Sequence, residues 1–397
     1  MSAVPVRPWL RVAPATFMLA WGGNHFTPLL HVYETIGHYA PWQANLLLGM
    51  YVFGLIPGLL IAAALSDRHG RKGVFLFGMV ATVVGSVLLA CGLDSFPLLC
   101  LGRVLAGIGV GVAMSVGTSW MKELSAPPFD LTASAVAGAR RPSLTLTTGF
   151  ALGAGVTGIL AQYAPGPALL PYLVHLGLSL AALVVACFAP ETRTDRAPAE
   201  GPWWRDLRVP AAGHRRFARV VVPASPWVFG AAGIAYAILP ASVEHHLGDS
   251  TTLYATVLTV VTLGTGAVVQ TITPRWTWVG RSRAVVIAMT AMSAGILAAV
   301  IAAALQSPVL GIAVAAFLGG AYGLLVIAGL IQVQRIATAA DLAGLTGVYY
   351  ALAYLGFLLP TVLAALLPVM SYPVSLTVVF AVCLVCLGAV TAGSRRS

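Results

Sequence analysis

The sequence predicts an all-α membrane protein of twelve transmembrane helices arranged in two pseudo-symmetric six-helix halves. Hydrophobic residues make up 59% of its 397 residues and charged residues only 9%, and the mean hydropathy is +0.90. Soluble domains are about half apolar and about a quarter charged. A chain of this length supplies roughly a dozen helices of about 20 residues, the length that crosses a bilayer core.

The apolar runs form two groups of six, separated by an arginine-rich stretch. This pattern predicts an N-terminal half over 1–189, a cytoplasmic linker over 190–223 and a C-terminal half over 224–397. The runs lie near 13–34, 42–65, 74–93, 97–121, 143–164, 168–189, 226–246, 252–272, 284–305, 308–331, 342–366 and 373–393.

Basic residues are concentrated in alternate loops, which sets the predicted orientation. The loops assigned to the outside contain acids and histidine but no lysine or arginine, and Arg103 is the one basic residue near an outer helix end. The positive-inside rule therefore places both termini and the linker in the cytoplasm of a multi-pass protein of the inner cell membrane. Because the net charge of +10 is spread over these loops, it does not indicate binding to nucleic acid.

A charge-dense loop, LSDRHGRKGV, joins the second and third apolar runs. Asp67, Arg68, Arg71 and Lys72 provide four charges, and Gly70 permits the tight reversal of the chain. This loop resembles the signature loop of the major facilitator superfamily, Asp-Arg-x-Gly-Arg-Arg/Lys. The resemblance implies that these five residues help to hold a cytoplasmic gate in the outward-open state.

Two further features resemble the same superfamily. Pro190-Glu191-Thr192 is similar to a sequence that many facilitators carry after their sixth helix, and the two halves of the chain echo each other at a shift of about 210 residues. This shift aligns Glu34 with Glu244, Gly70-Arg71 with Gly280-Arg281, and Gly109 with Gly319. The resemblance implies two six-helix halves, each an inverted three-plus-three repeat, with the substrate site between them.

The first apolar run carries the most polar residues. Asn24, Thr27, His31 and Glu34 recur at intervals of three, four and three, which predicts one shared helical face, and His25 lies beside it. Ionisable groups inside a membrane usually face a cavity, so this face is a candidate substrate and proton pathway. Histidine suits proton transfer because its unperturbed pKa is about 6.5. The alternatives are hydrogen bonds to a neighbouring helix for Asn24 and Thr27, and simple hydration for Glu34.

The second half offers a related set of pathway residues. Tyr236 and Glu244 lie eight residues apart in the seventh run, so Glu244 is either a second acid facing the pathway or an outer-loop residue. Tyr350 and Tyr354 form an aromatic seam in the eleventh run. Tight helix packing is the alternative explanation for that seam.

Arg103 precedes Gly107, Gly109 and Gly111 in the fourth run. This R-x-x-x-G-x-G-x-G pattern resembles a fourth-helix motif that is common in proton-coupled exporters, and it implies a role for Arg103 in the pathway. A structural role in anchoring the helix is the alternative. In the fifth run, Gly153-Ala154 stands where the exporters' glycine motif has Gly-Pro.

The sequence contains no P-loop, no HExxH and no nucleophile elbow, which argues against ATP-driven transport and against an enzyme. The predicted protein is a monomer in the lipid bilayer that uses a proton gradient, with no cofactor or metal, to export a small organic molecule by alternating access. The alternatives are a proton-coupled importer of a sugar or organic acid and a non-transporting membrane receptor or scaffold.

Overall fold

A computed structural model describes residues 7–134, 137–193, 203–273, 283–338 and 341–395. Within these ranges eleven helices are long and apolar enough to cross a membrane. A twelfth, the first in the chain, is shorter because it is broken. The prediction of twelve helical segments is therefore confirmed.

Six helices precede the linker. They are α1 (Trp9–Asn24), α2 (Pro41–His69), α3 (Arg71–Cys91), α4 (Phe96–Glu123), α5 (Ala137–Tyr163) and α6 (Leu170–Cys187). Their apolar surfaces pack α1 against α5 and α6, and α3 against α4 and α6.

Six helices follow the linker. They are α7 (Phe217–His246), α8 (Gly248–Ile272), α9 (Arg283–Leu305), α10 (Pro308–Ile336), α11 (Leu342–Ala365) and α12 (Tyr372–Arg395). Here α8 packs against α10, and α9 packs against α10 and α12. Two π-helical turns, Phe217–Val221 and Ile234–Ile238, interrupt α7.

Helix α1 breaks where its sequence is least able to continue a helix. It ends at Asn24, and the chain then forms a 3₁₀ turn over Thr27–Leu29 and a short helix over Leu30–Thr35. Pro28 lacks an amide N–H and disfavours helical geometry at the residue before it. We call residues 27–35 the α1 extension.

The chain forms two compact units. The first contains the described residues up to Phe26 and those from Met50 to Leu207, and the second contains 27–49 and the residues from Arg208 onward. The α1 extension thus belongs to the second unit, where it packs against α8. In the same unit Thr361 donates a hydrogen bond of 2.8 Å to the carbonyl oxygen of Asn45.

In the first unit, glycines let α4 approach α2 closely. A Cβ atom at Gly107 would overlap the carbonyl group of Tyr51, and one at Gly111 would overlap that of Leu55. Two glycines four residues apart on one helix thus face two carbonyls four residues apart on the other. Small residues at such crossings allow membrane helices to pack backbone to backbone.

The second unit repeats this arrangement between α10 and α8. Gly319 lies against the carbonyl of Thr262, and Gly323 lies against that of Gly266. The packing equivalent of Gly319 is therefore Gly107 rather than Gly109, and the offset between α4 and α10 is two residues longer than the predicted 210. The predicted second basic turn, Gly280-Arg281, lies outside the described residues.

Candidate functional site

The charged loop between α2 and α3 folds around Arg71, whose side chain is only 9% exposed. Its guanidinium donates to Asp67 Oδ1 at 2.8 Å through Nη1, and to Glu123 Oε1 at 3.0 Å through Nη2. Arg193 also donates to the carbonyl of Asp67 at 2.9 Å. With Glu191, these residues form what we call the Arg71 network, which lies in the first unit at the predicted cytoplasmic end of the helices.

Glu191 connects the segment after α6 to the first turn of α3. Its carboxylate accepts hydrogen bonds from the backbone N–H groups of Arg71 and Lys72, both at 3.0 Å. A carboxylate at a helix N-terminus satisfies free N–H groups and interacts favourably with the helix dipole. Partial burial alone would raise the pKa of Glu191, but these donors, together with the amides of Thr192 and Arg193, hold that pKa below its ordinary value.

The remaining signature residues take supporting positions. Gly70 precedes α3 with φ of 97°, a backbone conformation that side chains rarely adopt. Lys72 contributes its backbone N–H to Glu191, while Arg68 lies half-buried near the end of α2. The gating role of the loop stays a prediction, and the acids at 123 and 191 that complete the network were not among the predicted site residues.

A second polar group lies inside the first unit, around His25. The residue is 1% exposed, and neither ring nitrogen has a hydrogen-bond partner among the residues that the structure describes. The ring makes edge-to-face contacts with His175, at a centroid distance of 4.8 Å, and with Tyr172, at 5.0 Å. Buried polar groups normally have hydrogen-bond partners, so such a ring calls for an explanation.

His175 on α6, by contrast, is held by hydrogen bonds. Its Nε2 lies 2.9 Å from the carbonyl oxygen of Met18, and its Nδ1 lies 2.8 Å from Ser86 Oγ. Ser86 Oγ also lies 3.0 Å from the carbonyl of Thr82. A neutral His175 accepts from Ser86, whereas a protonated His175 donates to it and leaves the hydroxyl to donate to Thr82. The ring can therefore be hydrogen-bonded in either protonation state.

Arg103 is fully buried in the same unit. Its guanidinium carbon lies 4.4 Å from the ring centroid of Phe26 and 5.0 Å from that of Tyr51. Cation–π contact with two aromatic faces stabilises a desolvated guanidinium. Arg103 and His25 interact electrostatically, so the structure brings together two predicted pathway residues from α4 and the end of α1.

A third polar group lies in the second unit, where the α1 extension meets the end of α7. His31 Nδ1 lies 3.3 Å from Glu244 Oε1, and one ligand atom from each of His31, Glu34 and Glu244 lies within 4.8 Å of the others. We call these three residues the His31 cluster. The sequence predicted all three as pathway residues and aligned the two glutamates as symmetry partners.

The predicted polar face of the first run is divided by the break in α1. Asn24 ends the helix in the first unit, and its amide lies 3.5 Å from the carbonyl oxygen of Phe150. Thr27 is buried in the 3₁₀ turn and belongs to the second unit, as do His31 and Glu34. The four residues therefore do not share one helical face, because Pro28 ends the regular 3.6-residue period on which that prediction depended.

The predicted aromatic residues of the second unit lie near one another. Tyr354 stacks on Phe229 with ring centroids 4.2 Å apart, and Phe357 lies 4.9 Å from Phe229 and 6.3 Å from Tyr236. Tyr350 instead contacts Tyr349 at 5.5 Å. Helices α7 and α11 thus share a group of aromatic rings.

Sequence reasoning missed four residues of these groups, namely Glu123, His175, Glu191 and Tyr372. The sequence does contain a signal for His175, because it is an ionisable residue inside an apolar run. Tyr372, at the start of α12, interacts electrostatically with Glu34 and Glu244. No pattern in the sequence links Tyr372 with Glu244 or with Glu34, which lies 338 residues earlier. Only the fold brings these residues together.

Comparison with known proteins identifies the family. A family model described as "Major Facilitator Superfamily" matches residues 12–359. The chain is 35% identical over 78 residues to human "Solute carrier family 2, facilitated glucose transporter member 5", which covers 19% of this chain and 16% of the relative. It is 30% identical over 158 residues to the "3-(3-hydroxy-phenyl)propionate transporter" of Escherichia coli K12, covering 36% of this chain and 39% of that protein. The matches span well under two thirds of these relatives.

The fold has solved counterparts. The crystal structure of a point mutant of the nucleoside transporter NupG is similar with a TM-score of 0.72 and 12% identity, covering 98% of both chains. A second NupG structure gives a TM-score of 0.69 at 14% identity, covering 98% of this chain and 99% of that one. At these identities the similarities show a shared fold.

Proposed function

Because the chain belongs to the Major Facilitator Superfamily, and is thus a multi-pass membrane transporter of small solutes, we propose that it is a proton-coupled secondary transporter that exports its solute by alternating access. Proton coupling requires a group that gains and loses a proton during the cycle. A solute gradient and a proton gradient exchange free energy only if both ligands bind the two conformations with different affinities.

The observation that carries this proposal is the environment of His25. Within the described part of the chain, both of its ring nitrogens lack hydrogen-bond partners although the residue is buried. An imidazole changes charge near neutral pH, so this ring can take up a proton when the pathway opens to water. His175, whose ring contacts that of His25, can be hydrogen-bonded in either protonation state.

Export is the direction favoured by Arg103 and the glycines that follow it, because this pattern resembles a motif of proton-coupled exporters. Gly107 and Gly111 also serve the close packing of α4 on α2, so helix packing is enough to explain them. Within the motif, Arg103 is therefore the stronger support for export. Import by proton symport is the second candidate, and the two directions differ in an observable way. An exporter of the antiport type moves protons and solute in opposite directions, whereas a symporter moves them in the same direction.

For the solute we propose a small organic molecule with both polar and apolar surface. The matched relatives are named as transporters of glucose and of a hydroxyphenylpropionate. The rings of Phe229, Tyr354 and Phe357 offer apolar contact to such a molecule, and Tyr236 adds a phenol beside them.

For the membrane orientation we propose that both termini and the linker are cytoplasmic, because lysine and arginine are confined almost wholly to one set of loops. Single cysteines at Ala199 in the linker and at His38 in the first outer loop, in a background without the five native cysteines, provide the test. An impermeant maleimide added to intact cells should label the His38 site alone. Labelling of the Ala199 site from outside would reverse the orientation.

The coupling test uses proteoliposomes that contain the pH dye pyranine. Glucose, gluconate, uridine and 3-(3-hydroxyphenyl)propionate are offered in turn, with and without an imposed pH gradient. The wild type should accumulate at least one of them under the gradient, with protons moving in the opposite direction. His25→Ala should abolish this accumulation but retain solute exchange at equal pH, because exchange needs no net proton movement.

His246→Ala is the matched control, since His246 is exposed and lies outside the proposed pathway. It should transport like the wild type, and Glu34→Gln should cost less than His25→Ala. Full pH-driven accumulation by His25→Ala would refute the assignment of His25, and movement of protons with the solute would refute export.

A further inference from the structure

The His31 cluster has the composition and spacing of a metal site. Among the residues that the structure describes, it is the one place where three histidine, cysteine or acidic side chains bring ligand atoms within 4.8 Å of one another. Imidazole nitrogen together with two carboxylates is a donor set that binds zinc. We propose that His31, Glu34 and Glu244 bind a divalent transition-metal cation, with Zn²⁺ as the best fit.

The distances support a single shared ion. Zinc binds nitrogen and oxygen at about 2.0–2.1 Å in tetrahedral geometry, so two of its ligand atoms are roughly 3.3 Å apart. His31 Nδ1 and Glu244 Oε1 are 3.3 Å apart, and this nitrogen makes no hydrogen bond to the described part of the chain. Mg²⁺ requires octahedral oxygen coordination and is a poor match to a site that contains imidazole.

Tyr372 lies close to the two carboxylates of the cluster. Its side chain is only 9% exposed, and it interacts electrostatically with both carboxylates of the cluster. A phenol near two carboxylates can contact an ion held between them or a water molecule on that ion.

The cluster is also accessible and electrostatically suited to a cation. The side chain of His31 is 20% exposed and that of Glu244 is 40% exposed, so an ion can reach the ligands from solution. Two carboxylates with a neutral imidazole carry a charge of about −2, which a divalent ion cancels.

The position of the ligands gives metal binding a consequence for transport. His31 and Glu34 lie on the α1 extension, whereas Glu244 lies at the end of α7. The body of α1 belongs to the first unit and its extension to the second. An ion that joins the extension to α7 fixes this segment within the second unit, so bound Zn²⁺ should slow any cycle in which the segment must move.

The direct test is metal binding to the purified full-length protein in detergent. After EDTA treatment, titration calorimetry with ZnCl₂ should show one tight site per chain, and MgCl₂ should show none. His31→Asn and Glu244→Gln should each weaken Zn²⁺ binding by more than the roughly 10- to 100-fold that loss of an outer-shell partner costs. His38→Asn is the matched control, because it makes the same substitution at a histidine outside the cluster, and it should bind like the wild type.

Glu34→Gln provides a second test if His31→Asn fails to fold, which size-exclusion chromatography will reveal. It should also lose the tight site. Unchanged Zn²⁺ affinity in any folded cluster variant would overturn the proposal, as would equal losses in His38→Asn. Because binding is measured in detergent without solute or pH gradient, its outcome is independent of whether the transporter is proton-coupled.

Discussion

The Arg71 network of the first unit and the His31 cluster of the second unit both gather carboxylates at a helix end, but they balance charge differently. In the network, Asp67 and Glu123 are paired with the guanidinium of Arg71, and Glu191 is bonded to backbone N–H groups. In the cluster, Glu34 and Glu244 share one histidine. The acids of the network are already paired, so the network is suited to holding one arrangement of its helix ends. The cluster instead becomes more stable when a cation or a proton binds to it.

The difference also follows from the residue types. Arginine stays protonated at every physiological pH and presents five donors in a fixed fork, which suits a permanent connection between several acids. Histidine changes charge near neutral pH and binds metals. Substitutions in each region test whether the two differ in this way.

Arg71→Ala should reduce stability by about 3 kcal/mol, because it removes the charge-assisted hydrogen bonds that the buried guanidinium donates to Asp67 and Glu123. The loss is measured as the change in thermal unfolding in detergent. Arg140→Ala is the control, since Arg140 is exposed on α5, and it should change stability little. Equal losses of stability in the two variants would mean that Arg71 contributes no more to stability than an exposed arginine does.

Glu→Gln substitutions should change stability in opposite directions in the two regions. Glu123→Gln should destabilise by about 2 kcal/mol, since it weakens charge-assisted hydrogen bonds from Arg71. Glu34→Gln should stabilise by up to about 1 kcal/mol at neutral pH in EDTA, since it removes a like-charge contact with Glu244. The comparison fails if both variants unfold at a lower temperature than the wild type.

Zinc should reverse the effect of Glu34→Gln on stability. With excess ZnCl₂ the wild type should gain thermal stability, because a ligand that binds only the folded state stabilises it. The Glu34→Gln variant should gain little thermal stability from ZnCl₂, so that it becomes less stable than the wild type. An equal zinc-induced shift in both proteins would contradict the metal site while leaving the charge comparison intact.

Glu191 makes the network sensitive to acid. Its folded-state pKa is lowered, so its contribution to stability is present above the unfolded value of about 4.3 and is lost as the pH falls through the folded value. The difference in unfolding temperature between wild type and Glu191→Gln should therefore be largest near about pH 6 and shrink toward about pH 3. A difference that is constant over this range would exclude a lowered pKa.

Asp67→Asn should have the smallest effect on stability, because the Asp67 side chain is 54% exposed and exposed ion pairs contribute about 0–1 kcal/mol. We expect it to impair turnover far more than solute binding, since the signature loop is implied to hold a gate. The measurement compares transport rate with solute affinity in the same proteoliposomes. Wild-type transport by both Asp67→Asn and Arg71→Ala would remove the loop from the mechanism.

The amino-acid sequence by itself determined the class of the fold. Apolar runs of bilayer length predict the helices, and the loop from Asp67 to Lys72 predicts the family that the comparison confirms. The predicted helical face of the first run did not anticipate the break in α1, although Pro28 cannot donate the hydrogen bond that a continuous helix needs. These features are local, so they can be recognised within a few turns of chain.

Only the tertiary structure decided which polar residues meet. Glu191 meets Arg71 across 120 residues of sequence, and His25 meets His175 across 150. The break in α1 assigns Asn24 and His31 to different units, although their spacing suits one helical face. Helical periodicity fixes the direction of a side chain only relative to its own helix, and which partner it reaches depends on how distant helices pack.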